Sequence, residues 1–212
     1  MPKYGLCLDF DGTIVNSAEY GFNKLKQIIM DLGLPFDPEI QVKVRSAWGM
    51  APRKMIELMW PGIDARIVLG QWQEDEGLIP LFPGCLEALV NLSMKHYLSM
   101  LTSRGRSSTE FQISSFKHLF RFIITYEDVQ YHKPDPRSMD ILLANYAKLG
   151  VAKDNIIFVG DTVEADCKLA QALGIEFFAV TGGLNNREQF LSAGVPADHI
   201  INSIADLPGI LI

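Results

Sequence analysis

Between residues 82 and 181, short apolar runs alternate with stretches of helical character, and each run stops at a polar cluster. The runs are YLSML (97–101), FIIT (122–125), NIIFVG (155–160) and EFFAVT (176–181). The stretches 84–95, 107–118, about 136–149 and 163–173 read as helices, the second opening with Ser107 and Glu110 in capping-box spacing. Uninterrupted apolar runs of this length suit strands buried on both faces. Their alternation with helices predicts βαβ units and a parallel sheet. YGLCLDF (4–10) is one more run of the same kind, far upstream of the others.

The region between that first run and the rest is different, because residues 17–81 carry helical signals only. Leu25, Ile28, Ile29 and Leu32 recur at the spacing of one helix face, and Gly33 and Pro35 end that helix. Asp37-Pro38 reads as an N-cap followed by proline in the first turn. Gly49 and Pro52 separate a second helix from a third, and Trp60-Pro61-Gly62 is a turn. Asp64 is placed to cap a fourth helix carrying Ile67, Leu69 and Trp72. The expected fold class is therefore α/β, a three-layer Rossmann-like parallel-sheet core (1–16 and 82–212) with an inserted helical cap domain (17–81). Two short connections, near Asn16 and near Leu81-Phe82-Pro83-Gly84, would allow hinge motion.

Bulk properties narrow the partners. The net charge of −6, without any dense Lys/Arg block, argues against a nucleic acid polymer or an anionic membrane surface. No apolar run approaches the roughly 20 residues that span a bilayer, and MPKYGLCLDF lacks the apolar core of a signal peptide. Cys7, Cys85 and Cys167 are odd in number and widely spaced, which suggests reduced, buried thiols in a cytoplasmic protein. Oligomeric state, monomer or homodimer, is open at this level.

Ligands of open parallel sheets bind beyond the carboxyl ends of the strands, so the residues following each run carry the functional argument. After the first come Asp9, Asp11 and Thr13. After YLSML come Thr102, Ser103 and Arg104. Lys133 lies in YHKPDP, and GDTVEAD holds Asp161 and Asp166. This set suits phosphoryl transfer. Carboxylates are hard oxygen ligands for Mg²⁺, hydroxyls and a lysine can hold a phosphate, and a further carboxylate can act as nucleophile or as general acid and base. Two carboxylates as close as Asp9 and Asp11 are expected to push one pKa upward unless a cation offsets them.

DFDGTIVNS, TSR, HKPDP and GDTVEAD together resemble the four motifs of the haloacid dehalogenase superfamily of hydrolases, in the family's order and strand contexts, over nearly the whole chain. The helical insert between the first two motifs is similar to the family's helical (C1-type) cap subclass, which includes phosphoglycolate-phosphatase-like enzymes. The resemblance implies a Mg²⁺-dependent phosphatase acting on a small phosphorylated metabolite. Asp9 would be the nucleophile that becomes an aspartyl-phosphate. Asp11 would protonate the leaving group and then activate water. Thr102, Ser103 and Lys133 would hold the phosphoryl group, with backbone N–H groups around Phe10 and Asp11 contributing. Asp9, the Asp11 main-chain carbonyl and Asp161 would hold Mg²⁺, with Asp166 at the acidic end of the site. Asp11 argues for phosphate esters, because dehalogenases lack an acid there and phosphonatases carry a small residue.

A β-phosphoglucomutase-like enzyme has both acids, so a mutase is equally compatible with the first motif. A fold kept only to bind phosphorylated ligands is a further alternative, against which the intact acidic set speaks. The chain departs from the common family pattern at Asn16, often Asp, and at Ser103-Arg104, where asparagine often follows the motif's hydroxyl residue. His96, His118, His132 and His199 show no ligand spacing. Trp48, Trp60 and Trp72 read as core. Arg45 and Arg53 could face an anionic substrate or solvent, and Gly182-Gly183 is a loop after a strand.

Overall fold

A computed structural model describes residues 3–48, 52–74 and 77–211. Gly49, expected to break the insert's second helix from its third, lies outside them. The chain divides into two compact units: one runs to Asn16 and resumes at Pro80, and the other is Ser17–Ile79.

The first unit is built on six parallel strands, β1 Gly5–Leu8, β2 Tyr97–Leu101, β3 Phe122–Ile124, β4 Ile156–Gly160, β5 Glu176–Val180 and β6 Ile200–Ile201. They lie in the order β3-β2-β1-β4-β5-β6. The earliest strand is thus central, with Cys7 opposite both Ser99 and Phe158. Strand order reverses direction between β1 and β4, the position where open parallel sheets leave a crevice. The two-residue β6 has too little sequence to announce itself.

The second unit holds helices α1 Ser17–Asp31, α2 Pro38–Ser46, α3 Pro52–Met59 and α4 Ala65–Glu74. The sheet unit carries α5 Cys85–Lys95, α6 Arg106–Gln112, α7 Asp140–Lys148, α8 Lys168–Leu173, α9 Arg187–Ser192 and α10 Leu207–Ile210. On the sheet, Cys7, Phe158, Ala179, Leu142 and Tyr146 belong to one buried cluster. The three cysteines are buried and unbridged.

The helical unit has its own core of Phe22, Leu25, Ile29, Val44, Ile56, Trp60 and Val68. Phe36 stacks on Trp60, whose indole N–H donates to the Pro35 carbonyl at 2.9 Å. Trp48 and Trp72 pack against the same cluster. Gly33 closes α1 with a positive φ of 69°, its N–H donating to Met30 while Leu34 N–H reaches Ile29. Asp37 caps α2 by accepting from Ile40 N–H, with Pro38 in the first turn.

α4 carries Ile67, Leu69 and Trp72 and buries Ala65 and Val68. Two local expectations are corrected. The helix expected over 107–118 stops at Gln112, after which Phe116 and Leu119 close tighter i→i−3 bonds to Ile113 and Phe116. Tightening keeps Ile113 and Phe116 buried. Ser107 and Glu110 form no capping box: α6 begins one residue earlier, and the Arg106 N–H donates to the Glu127 carboxylate at 2.8 Å. A distant acid has replaced the local cap.

Candidate active site

Asp9 follows β1 directly and its N–H donates to the Val159 carbonyl of β4 at 2.9 Å, which pins it beside the end of that neighbouring strand. Asp161 follows β4. Asp166 is reached through a π-helical turn, Val163–Cys167, in which Cys167 N–H bonds the Thr162 carbonyl five residues back. Such wide turns recur at functional sites. Here the turn aims Asp166 inward, where it is fully buried. The nearest carboxylate oxygens of Asp9, Asp161 and Asp166 lie within 4.8 Å of one another.

Lys133 joins the cluster from the loop before α7. Its ammonium donates to Asp9 Oδ1 and to Asp166 Oδ1, each at 2.7 Å, and its side chain is only 5% exposed. The second Asp166 oxygen accepts from the Thr162 N–H at 3.1 Å and from its hydroxyl at 2.7 Å. Asp161 Oδ2 accepts from Leu184 N–H at 2.8 Å, while its Oδ1 is buried with no hydrogen-bond partner.

Three buried carboxylates facing one buried ammonium leave an excess of negative charge. Burial opposes the charge on Lys133, but Asp166 and Asp9 outweigh it and hold the pKa above its ordinary value. Burial first, and Asp166 second, push Asp161 up to about 7 against the Leu184 N–H. Asp9 is also raised, by burial, with Lys133 opposing. The like charges acting on Asp9 are Asp166 and Asp161. The Asp11 side chain faces Arg104, whose Nη2 and Nε donate to its two oxygens at 2.6 and 3.0 Å.

Thr102 is buried at the end of β2, its N–H bonded to Ile124 and its hydroxyl accepting from Arg104 N–H at 3.1 Å. Ser103 is exposed on the same loop. Asp9, Lys133, Asp161 and Asp166 therefore meet directly, and Asp11 and Thr102 are linked to each other through Arg104.

Residues 6–180 match the family model of the haloacid dehalogenase-like hydrolases. The chain belongs to that family. Over 220 residues it is 27% identical to a phosphoglycolate phosphatase of Pectobacterium atrosepticum, covering 96% of this chain and 90% of the relative. A haloacid dehalogenase-like family hydrolase from Streptococcus pneumoniae shares the fold at TM-score 0.74 and 20% identity, with 99% of each chain covered. A Thermotoga maritima protein provisionally assigned as a β-phosphoglucomutase shares it at TM-score 0.78 and 18% identity, with 98% of each covered.

In this haloacid dehalogenase-like hydrolase the carboxylates are packed against glycines. A Cβ on Gly12 would stand 2.2 Å from Asp161 Oδ2, one on Gly183 2.1 Å from the same atom, and one on Gly160 2.5 Å from Asp166 Cγ. Gly183 sits in the Gly182-Gly183 loop, where sequence reasoning found no function. Its glycine-after-strand pattern was a signal of close backbone approach. Arg45 and Arg53 pair inside the helical unit with Glu19 and Glu57. His132 stacks on Tyr126, and no histidine joins the acidic cluster among the described residues.

Proposed function

We propose that this protein is a Mg²⁺-dependent phosphatase that hydrolyses a small phosphate monoester through an aspartyl-phosphate on Asp9. The observation that carries the reading is the buried cluster at the end of β1: Asp9 held at one oxygen by Lys133, beside an Asp161 oxygen that is buried and without a partner. An orphaned buried carboxylate oxygen in an acidic surplus fits a cation better than any protein group nearby. Asp9, Asp161 and the Asp11 main-chain carbonyl would hold the ion. Asp166, with both oxygens already engaged by Lys133 and Thr162, would support them. When bound, Mg²⁺ supplies positive charge against the phosphoryl oxygens.

The chain's own groups would then divide the work. Asp9 Oδ2, the oxygen that Lys133 leaves open, attacks phosphorus. The bond to the ester oxygen breaks, its electron pair stays on that oxygen, and Asp11 delivers a proton to it. Water next attacks the phosphoryl group on Asp9 while Asp11 takes the water's proton. The Asp9–phosphorus bond breaks and the carboxylate returns. Lys133 and the hydroxyls of Thr102 and Ser103 would hold the transferring group.

Residues 17–81 would act as the cap that selects substrate, and likeness to the Pectobacterium relative favours a phosphoglycolate-type ester. The buried free cysteines suit a reducing cytoplasm. Phosphate release from a panel of esters, with Mg²⁺ and with EDTA, for wild type and Asp9→Asn tests the reading. Metal-dependent release abolished by Asp9→Asn is expected, and release that survives the substitution would overturn the mechanism. Isomerisation of a sugar phosphate without net release would indicate a mutase.

A further inference from the structure

We propose that Arg104 is a positioning residue for Asp11, and that its two-bond fork sets how well this protein handles esters with poor leaving groups. The inference rests on the phosphatase reading above.

The Asp11 side chain is 36% exposed on the loop after β1, so packing alone does not hold its carboxylate in one orientation. Arg104 supplies the constraint: Nη2 to Oδ1 at 2.6 Å and Nε to Oδ2 at 3.0 Å, a planar fork that fixes the plane of the carboxylate as well as its place. Arg104 is itself anchored at several points. Its N–H donates to Thr102 Oγ1 at 3.1 Å, its carbonyl accepts from Tyr126 N–H at 3.1 Å, and Nη1 donates to Ser108 Oγ in α6 at 2.8 Å. The guanidinium also sits 5.6 Å from the centre of the Phe10 ring. Each Asp11 oxygen gives one lone pair to the fork and keeps another, on which Asp11 can carry the proton that it delivers to the leaving oxygen. Arg104 thus ties the hydroxyl cluster after β2 to the acid after β1.

A proton-transfer group works only when held within about 3 Å of its target. The need is greatest when an alkoxide must leave and small when a stabilised aryloxide leaves unaided. The value of kcat/KM reports steps through the first phosphorus–oxygen cleavage, so it isolates this effect from later water attack. Arg104→Ala is expected to lower the ratio of kcat/KM for the best alkyl phosphate of the panel to that for p-nitrophenyl phosphate by about tenfold or more. Asp11→Asn should lower the ratio at least as far, and the double variant should add little. Arg104→Lys keeps the charge and loses the fork, so its ratio should stay near that of Arg104→Ala.

Equal losses for both esters, a rise in the ratio, or full recovery in Arg104→Lys would each overturn the inference. Denaturation midpoints of both variants separate these outcomes from misfolding. Wild type that releases no phosphate would overturn the phosphatase reading and this inference with it. Wild-type turnover with a uniform loss in the variants would overturn this inference alone.

Discussion

The Asp161 carboxylate fills the space that a side chain on Gly183 would need: a Cβ there would lie 2.1 Å from Oδ2 and 2.4 Å from the Asp161 Cβ. Leu184 N–H, one residue on, donates to the same oxygen at 2.8 Å. The loop after β5 is therefore moulded onto the carboxylate. Gly183→Ala is expected to displace Asp161, to cost about 1–3 kcal/mol of stability and to weaken Mg²⁺ binding. Urea titration and calorimetric Mg²⁺ titration would check both, and unchanged metal affinity would contradict the argument.

Lys133 is the cation between Asp9 and Asp166, and all three side chains are at least nine-tenths buried. Lys133→Met would leave two buried carboxylates facing each other. Breaking a buried pair by removing one partner typically costs about 3–5 kcal/mol, so the midpoint should fall well below wild type and turnover should be lost. Added Mg²⁺ should recover part of the stability. A midpoint near that of wild type in EDTA would show that Lys133 is not what balances this charge.

Metal dependence should appear in stability as well as rate. A ligand present at 100 times its Kd stabilises the folded state by about 2.7 kcal/mol, so Mg²⁺ should raise the wild-type midpoint. Asp161→Asn, which removes a buried charge and a metal oxygen together, should lose most of that response. It should be no less stable than wild type in EDTA. A variant that keeps the full Mg²⁺ response would remove Asp161 from the metal site.

His96 lies away from the acidic cluster, buried beside Tyr4, with Nδ1 accepting the Tyr4 N–H at 3.3 Å. Burial lowers its pKa below the ordinary 6.5, and Lys95 and Lys3 act in the same direction, while the Leu211 backbone opposes. The unfolded chain therefore binds the proton more readily than the folded one. Stability from the neutral imidazole is fully present above about 6.5 and is lost as pH falls through that value toward the folded pKa. Unfolding of wild type and His96→Gln at pH 7.5 and 5.5 measures it. The wild type should lose more stability on acidification, and equal losses would refute the assignment.

Local chemistry makes much of this molecule readable in its sequence. Apolar runs of four or five residues between helical stretches mark buried parallel strands, because such strands touch helices on both faces. Asp37-Pro38 and Gly33 mark helix ends because capping is satisfied within a few residues. The four polar clusters were visible as residues following strands. The failures arose where a distant group displaced a local one, as when the Glu127 carboxylate, not a Ser107–Glu110 capping box, met the N-terminus of α6 at the Arg106 N–H.

Sequence by itself thus determined the alternating strands and helices, the helices α1 to α4 of the insert and the identity of the acids, all encoded in periodicity and nearest neighbours. Only the tertiary structure decided which of those acids share one charge cluster, that Gly12 and Gly183 make room for Asp161, and that Arg104 clasps Asp11. These contacts join residues up to 157 positions apart, from Asp9 to Asp166. Their proximity comes from the strand order β3-β2-β1-β4-β5-β6, which is settled by how helices cover both faces of the sheet. No local pattern of residues carries that order.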